Sequence, residues 1–246
     1  MKNKLKEILE SKYKEVAEKK QKRDFVKSII NPKIGDISII AEIKLTSPSE
    51  GKLGDRNKLK ERTIMYEKSS ADAVSVVVDK KYFGGELDFI KQVKNVVSLP
   101  ILAKDFIIDP YQIYELKTYG ADAILLIAKI VSADKLVQFV RLAKELNMDS
   151  VVEVQTEQEL EYAFNTDTQI IAVNARNLDT FEVDIERACG LLKLIPHKYI
   201  TLGFSGVKNR KDVQKYKNAG VKGVLVGTSL MKSKDIKGFI RELKDI

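Results

Sequence analysis

One cysteine, one histidine and no tryptophan occur in 246 residues. With Cys189 alone, no disulfide can form within the chain, and a reducing compartment fits that composition. Cys189 falls in the helical pattern IERACGLLKLI, where it reads as a small apolar filler. His197 sits in a Pro-His-Lys turn and offers a thiol nucleophile no partner. A zinc site draws its ligands chiefly from Cys and His, which are nearly missing, so no metal is expected. No apolar run approaches the roughly 20 residues that span a bilayer. The opening MKNKLKEILESKYKEVAEKK is charged throughout and lacks the apolar core of a secretory signal. A cytoplasmic location without membrane contact is the expectation. No Pro/Ser/Gly-rich tract or low-complexity run marks a linker, so residues 1–246 read as one domain.

Charge of one sign is in excess, with a formal net charge of +8. The basic residues are spread along amphipathic helices and interleaved with Asp and Glu. No Arg-rich cluster with interleaved aromatics appears, which argues against a nucleic-acid partner. What remains is a lysine-rich solvated surface that attracts a small anionic substrate. No lysine-rich helix shows a conspicuous apolar outer stripe, so a monomer is expected.

What the chain does contain is an alternation. Residues 2–22 read as an amphipathic helix with Leu5, Ile8, Leu9, Tyr13 and Val16 on one face. Apolar strand-like runs then recur near 38–44, 73–78, 100–104, 122–127, 150–154, 169–174, 199–203 and 222–226, with helical patterns between them. Asp109-Pro110, Ser132 and Thr156 with Glu159 are helix-start signals. Gly120 and Gly220 stand where helix ends should be. Eight strand–helix units without a hairpin signal imply right-handed parallel crossovers. An open doubly wound sheet would announce itself with a Gly-rich turn after the first strand, and Lys44-Leu45-Thr46-Ser47-Pro48 is no such turn. The expected fold is therefore an α/β (β/α)₈ TIM barrel over 37–246, preceded by a helical extension over 1–36 whose first helix serves as a lid or plug.

Parallel strands covered on both faces should be uniformly apolar. Several of these runs end instead on lone polar groups: Glu42 and Lys44, Lys104, Glu153, and Asn174 with Arg176 just beyond. A buried charge is costly unless it is paired or lines a wet pocket. Strand C-termini are where barrel enzymes keep their chemistry. Glu42 and Lys44 lie two apart and share a face. Two lysines and two carboxylates around one mouth form an acid/base set, or else a structural salt-bridge network. After the seventh strand comes Phe204-Ser205-Gly206-Val207, and after the eighth Gly227-Thr228-Ser229-Leu230. Small residues there expose backbone N–H groups, which suits a phosphate. Ser47 and Arg176 could add side-chain donors.

The segments AEIKLTSPS (41–49), PILAKDFI (100–107), GADAILLIAKI (120–130), VVEV (151–154), VNARNLDTFEVD (173–184) and VGTSLMKS (226–233) together resemble the indole-3-glycerol phosphate synthase family of tryptophan biosynthesis. The likeness runs in order over nearly the whole chain. It implies a cofactor-free and metal-free barrel that closes the ring of 1-(2-carboxyphenylamino)-1-deoxyribulose 5-phosphate, with loss of carbon dioxide and water. On that resemblance Lys104 is the general acid, Glu153 assists proton removal, Lys44 holds the substrate carboxylate, Glu42 orients the lysines and Asn174 positions the ring region. Arg176, Ser47, Gly206, Gly227 and Thr228 hold the phosphate, beside Ser205.

The chain departs from the family pattern at Leu45, at Val78-Asp79, at Asn177 and at Phe204, where the family has a near-constant Glu. These changes group at the expected mouth, and three of them make it more apolar. Three readings stay open at this level. One is a divergent carboxy-lyase, with Phe204 packed under the substrate's aromatic ring. Another is a barrel repurposed by design for Kemp elimination, in which Glu153, Glu42 or Asp79 takes a proton from an aromatic carbon acid stacked on Phe204. The third is an inactive binder of phosphate esters.

Overall fold

A computed structural model describes residues 4–20 and 23–245. Eight parallel strands close into a ring: β1 (Ser38–Ile43), β2 (Ala73–Val77), β3 (Ile101–Lys104), β4 (Ala123–Ile127), β5 (Asp149–Val154), β6 (Ile170–Asn174), β7 (Ile200–Phe204) and β8 (Gly223–Val226). Each pairs with its predecessor, and β1 closes on β8 through the register Ser38↔Gly223 to Ala41↔Val226. The chain is thus a TIM barrel, and all eight strands fall where the apolar runs place them.

Two apolar layers hold the ring. Strand residues alternate between its inside and its outside. Inside lie Ile40, Leu102, Leu125, Val151, Ala172, Leu202, Phe204 and Leu225. Outside, Ile39, Val76, Ala103, Leu126, Val152 and Val173 meet helix residues such as Ile113, Phe139, Leu160 and Ile240. Helix starts follow the expected chemistry. Asp109 caps Pro110–Tyr119 in a full capping box, and Ser132 caps Ala133–Glu145. Thr156 caps Glu157–Phe164, while Glu159 reaches past the cap to the Gln155 N–H at 2.6 Å. Gly120 takes φ 98° at its helix end, a conformation that L side chains resist.

The base of the ring is closed by a short helix, Phe25–Ile30, not by the first one. Phe25 and Ile29 are fully buried in the interior cluster, and Ser38 Oγ donates to the Ile29 carbonyl at 2.7 Å. Burying two such side chains contributes about 1.5–3 kcal/mol each. The helix Lys4–Lys20, expected as lid or plug, instead exposes Leu5, Ile8, Leu9 and Tyr13. That stripe also corrects the expectation that no outer helix carries an apolar face. The position of Val16 in that stripe, and residues 2, 3, 21 and 22, lie outside what is described.

Two aspartates brace the same end. Asp72, just before β2, accepts from the N–H groups of Lys33 (2.7 Å) and Ile39 (2.8 Å) and from Lys244 Nζ (2.6 Å). Asp122, just before β4, accepts from the N–H groups of Arg23 (2.8 Å) and Ile101 (3.0 Å) and from Lys94 Nζ (2.5 Å). Each sits in an Ala-Asp-Ala tripeptide. Each therefore ties a strand start to its neighbour, to the N-terminal segment and to a helix lysine. Among the described residues no helix is long and apolar enough to cross a membrane.

Candidate active site

The opposite end of the ring opens into a cavity of about 530 Å³. Its walls include Glu42, Lys44, Ser47, Lys104, Glu153, Asn174, Arg176, Ser205, Gly206, Gly227 and Thr228. Six strands and their loops thus bring eleven separately expected residues to one space.

At the centre, Glu42 lies between two lysines. Its Oε1 is 2.8 Å from Lys44 Nζ and its Oε2 is 3.2 Å from Lys104 Nζ. Burial alone would raise the Glu42 pKa, but the two ammonium groups outweigh it and hold the carboxyl at about 2. Glu42 therefore stays an anion and cannot serve as a base near neutral pH. Gly227 makes room for this pair: a Cβ there would collide with Glu42 Oε1 and come within 3.0 Å of Lys44 Nζ.

Glu153 is set up differently. Asn174 Nδ2 donates to its Oε1 at 2.9 Å, while its buried Oε2 has no hydrogen-bond partner. Burial raises its pKa, against the pull of Lys104 and the Asn174 bond. Glu153 lines the cavity, and a buried carboxylate with an unpaired oxygen can accept a proton. Lys104 is shifted upward: burial opposes its charge, but Glu42 and then Glu153 favour it more strongly. It is therefore held in its charged, proton-bearing form.

A second tier holds these groups. Arg176 N–H donates to Asn174 Oδ1 at 2.9 Å, which fixes the amide that faces Glu153. Arg187, on the helix Ile185–Leu192, donates to the carbonyls of Gln155 (2.6 Å) and Asn174 (3.1 Å). It clamps the ends of β5 and β6. Sequence reasoning missed Arg187, because a lone Arg on a helix reads as surface.

The phosphate-type loops lie beside one another. Ser205 (φ 67°) and Gly206 (φ 83°) follow β7 in the left-handed region. Tyr216 Oη donates to the Phe204 and Ser205 carbonyls, both at 3.0 Å, and locks this turn. The Tyr216 ring packs on Gly203, where any Cβ would overlap it. Thr228 opens the short helix Thr228–Lys232, and Ser229 Oγ ties it to the Val207 carbonyl at 2.6 Å. Ser47 accepts from the Glu50 N–H at 3.1 Å in a small hairpin over the rim. Phe83, Phe106, Leu178, Phe181 and Val183 add an apolar wall, another feature that strand-end reasoning did not reach.

Leu45, Val78 and Phe204, expected to reshape the pocket, do not line it. Val78 follows the last residue of β2 and turns outward into the helix layer, so Val77 faces the cavity. Leu45 packs against the outer core near Gly54 and Gly84. Phe204 is fully buried inside the ring, so it presents no plate for a ligand to stack on. Asp79 accepts from the Tyr82 and Phe83 N–H groups and is a helix cap, not a base. Asn177 likewise accepts from the Asp179 and Thr180 N–H groups in its turn. Among the described residues no group of three or more His, Cys, Asp or Glu side chains could hold a metal ion.

The family model described as indole-3-glycerol phosphate synthase matches residues 1–243. A relative of that name from Caldanaerobacter subterraneus subsp. tengcongensis is 41% identical over 255 residues, covering 98% of each chain. Another, from Endomicrobium trichonymphae, is 43% identical over 209 residues, covering 85% of this chain and 81% of the relative. Among solved structures, a chain of the tryptophan synthase α2β2 complex of Pyrococcus furiosus superposes with a TM-score of 0.66 at 18% identity, over 86% of this chain and 99% of that one. The 3-hexulose-6-phosphate synthase of Salmonella typhimurium gives 0.65 at 17%, over 85% and 97%. These two share the fold. By the match along its length and its identity to named relatives, the chain belongs to the indole-3-glycerol phosphate synthase family.

Proposed function

We propose that the chain catalyses the decarboxylating ring closure of 1-(2-carboxyphenylamino)-1-deoxyribulose 5-phosphate, as a carbon–carbon lyase of tryptophan biosynthesis. The observation that carries this reading is the cavity in which Glu42 joins Lys44 to Lys104, with Glu153 across from them. The ring carbon that bears the carboxylate bonds to the ketose carbon, whose oxygen takes a proton from Lys104. Carbon dioxide leaves, the new hydroxyl departs as water on a second protonation, and Glu153 accepts the proton released as the indole becomes aromatic. Lys44 neutralises the substrate carboxylate, Glu42 fixes both lysines, and Asn174 orients Glu153 and the ring region. Arg176, Ser47, Ser205, Gly206, Gly227 and Thr228 hold the phosphate, and the apolar wall takes the aromatic ring. The chemistry uses side chains alone, with no cofactor assigned a role.

Neither the repurposed eliminase nor the inactive binder finds support in relatives of this name at 41% and 43% identity. The same reading takes residues 1–246 as one domain acting as a cytoplasmic monomer, with no nucleic-acid partner. The exposed Leu5–Tyr13 stripe is the feature that would favour a second copy, and sedimentation velocity decides between them.

Indole fluorescence should appear when the ribulose phosphate substrate is added, and Lys104→Ala should abolish it. A pure wild-type protein that binds the substrate and leaves it unchanged would refute the proposal.

A further inference from the structure

The floor beneath Lys104 is an aromatic ring. Lys104 Nζ lies over the Phe204 ring, 5.4 Å from its centroid. The ring is fully buried and its backbone is held on both sides. The Phe204 carbonyl accepts from the Ala175 N–H at 2.9 Å and from Tyr216 Oη at 3.0 Å. Phe204 is also in register with Asn174 on one side and Leu225 on the other.

We propose that Phe204 is a positioning residue that seats the Lys104 ammonium and keeps its N–H groups free for the substrate. An ammonium has three N–H donors. Glu42 Oε2 accepts one. A ring face attracts the cation through its quadrupole without accepting a strong directional hydrogen bond. A carboxylate or amide in the same place would accept another N–H, whereas the ring leaves it unengaged. The charged groups around Lys104 are Glu42 and Lys44 from the β1 side, Glu153 from β5 and Arg176 from beyond β6. From β7 the ammonium meets an uncharged ring.

This inference rests on Lys104 acting as the proton donor, so its test needs one arm that uses no substrate. With ¹³C-labelled lysine, the Lys104 ε-methylene signal, assigned by its loss in Lys104→Ala, should lie upfield of the other lysines through the Phe204 ring current. It should return to the common position in Phe204→Leu. In the catalytic arm, Phe204→Leu should lower kcat about tenfold with KM within about twofold, and move the alkaline limb of kcat down by about half a pH unit or more. Site-specific mono-, di- and trifluorophenylalanine weaken the ring's field with little change of shape, and should move that limb down stepwise even if Phe204→Leu misfolds. An unshifted wild-type methylene signal, or a limb that ignores the fluorine series, would overturn the seat. Absence of turnover with an intact ring-current shift would sink the synthase reading and leave the seat standing.

Discussion

Glu153 combines its proposed role with a destabilising effect in one side chain. Burial raises its pKa, so over part of the acid range the folded protein holds a proton that the unfolded chain has released. A group with a raised folded pKa contributes stability below its unfolded pKa and loses that contribution as pH rises through the folded value. Glu153→Gln should therefore raise the melting temperature at neutral pH. The same substitution should lower kcat by about 10²–10⁴-fold and erase the acid limb of the pH–rate profile. Calorimetry and a pH series read the two effects separately. Lone polar groups ending apolar strands made Glu42, Lys44, Lys104, Glu153 and Asn174 legible in the sequence, because so costly a pattern has few structural explanations. Val78 faces away from the pocket because side-chain facing at a strand end depends on where the strand stops, and a shift of one residue reverses it. Phe204 does point into the ring, but it is buried beneath Lys104 and not on the cavity wall, a depth that residue spacing does not give.

The strands, as elements, were legible because each is a continuous apolar run of ordinary length. Phe25–Ile30, Lys80–Phe83 and Thr228–Lys232 were not, since four to six residues are too few to show a 3.6-residue period. Nor did the sequence reveal that the Ala-Asp-Ala tripeptides are braces, because their partners lie 21 to 172 residues away. The last helix, Ile236–Lys244, is fastened through one of them: Lys244 is buried against Asp72 and donates to the Ile34 carbonyl at 3.1 Å. Lys244→Ala leaves Asp72 buried without its cation and should destabilise the fold by about 3–5 kcal/mol. Urea denaturation checks this, and kcat of the protein that remains folded should be near wild type.

For the whole molecule, a net charge of +8 surrounds a cavity that must admit a dianionic phosphate and a carboxylate. If the surface field captures the substrate, kcat/KM should fall as salt rises from about 0.01 to 0.15 M, where the Debye length shrinks from about 30 to about 8 Å. The fall should reside in KM. A flat salt response would assign capture to the cavity walls alone. The closed ring itself could be read from the regular strand–helix alternation, whereas its true plug could not, since a six-residue helix was hidden before the first strand.

The Asp72 and Asp122 braces stand at the opposite end of the ring from the substrate cavity. The hinges of closure and the instruments of chemistry are thus carried by different residues. Loops around the opening can lengthen, shorten or exchange side chains without loosening the hoop beneath them, which leaves this scaffold free to acquire new specificities.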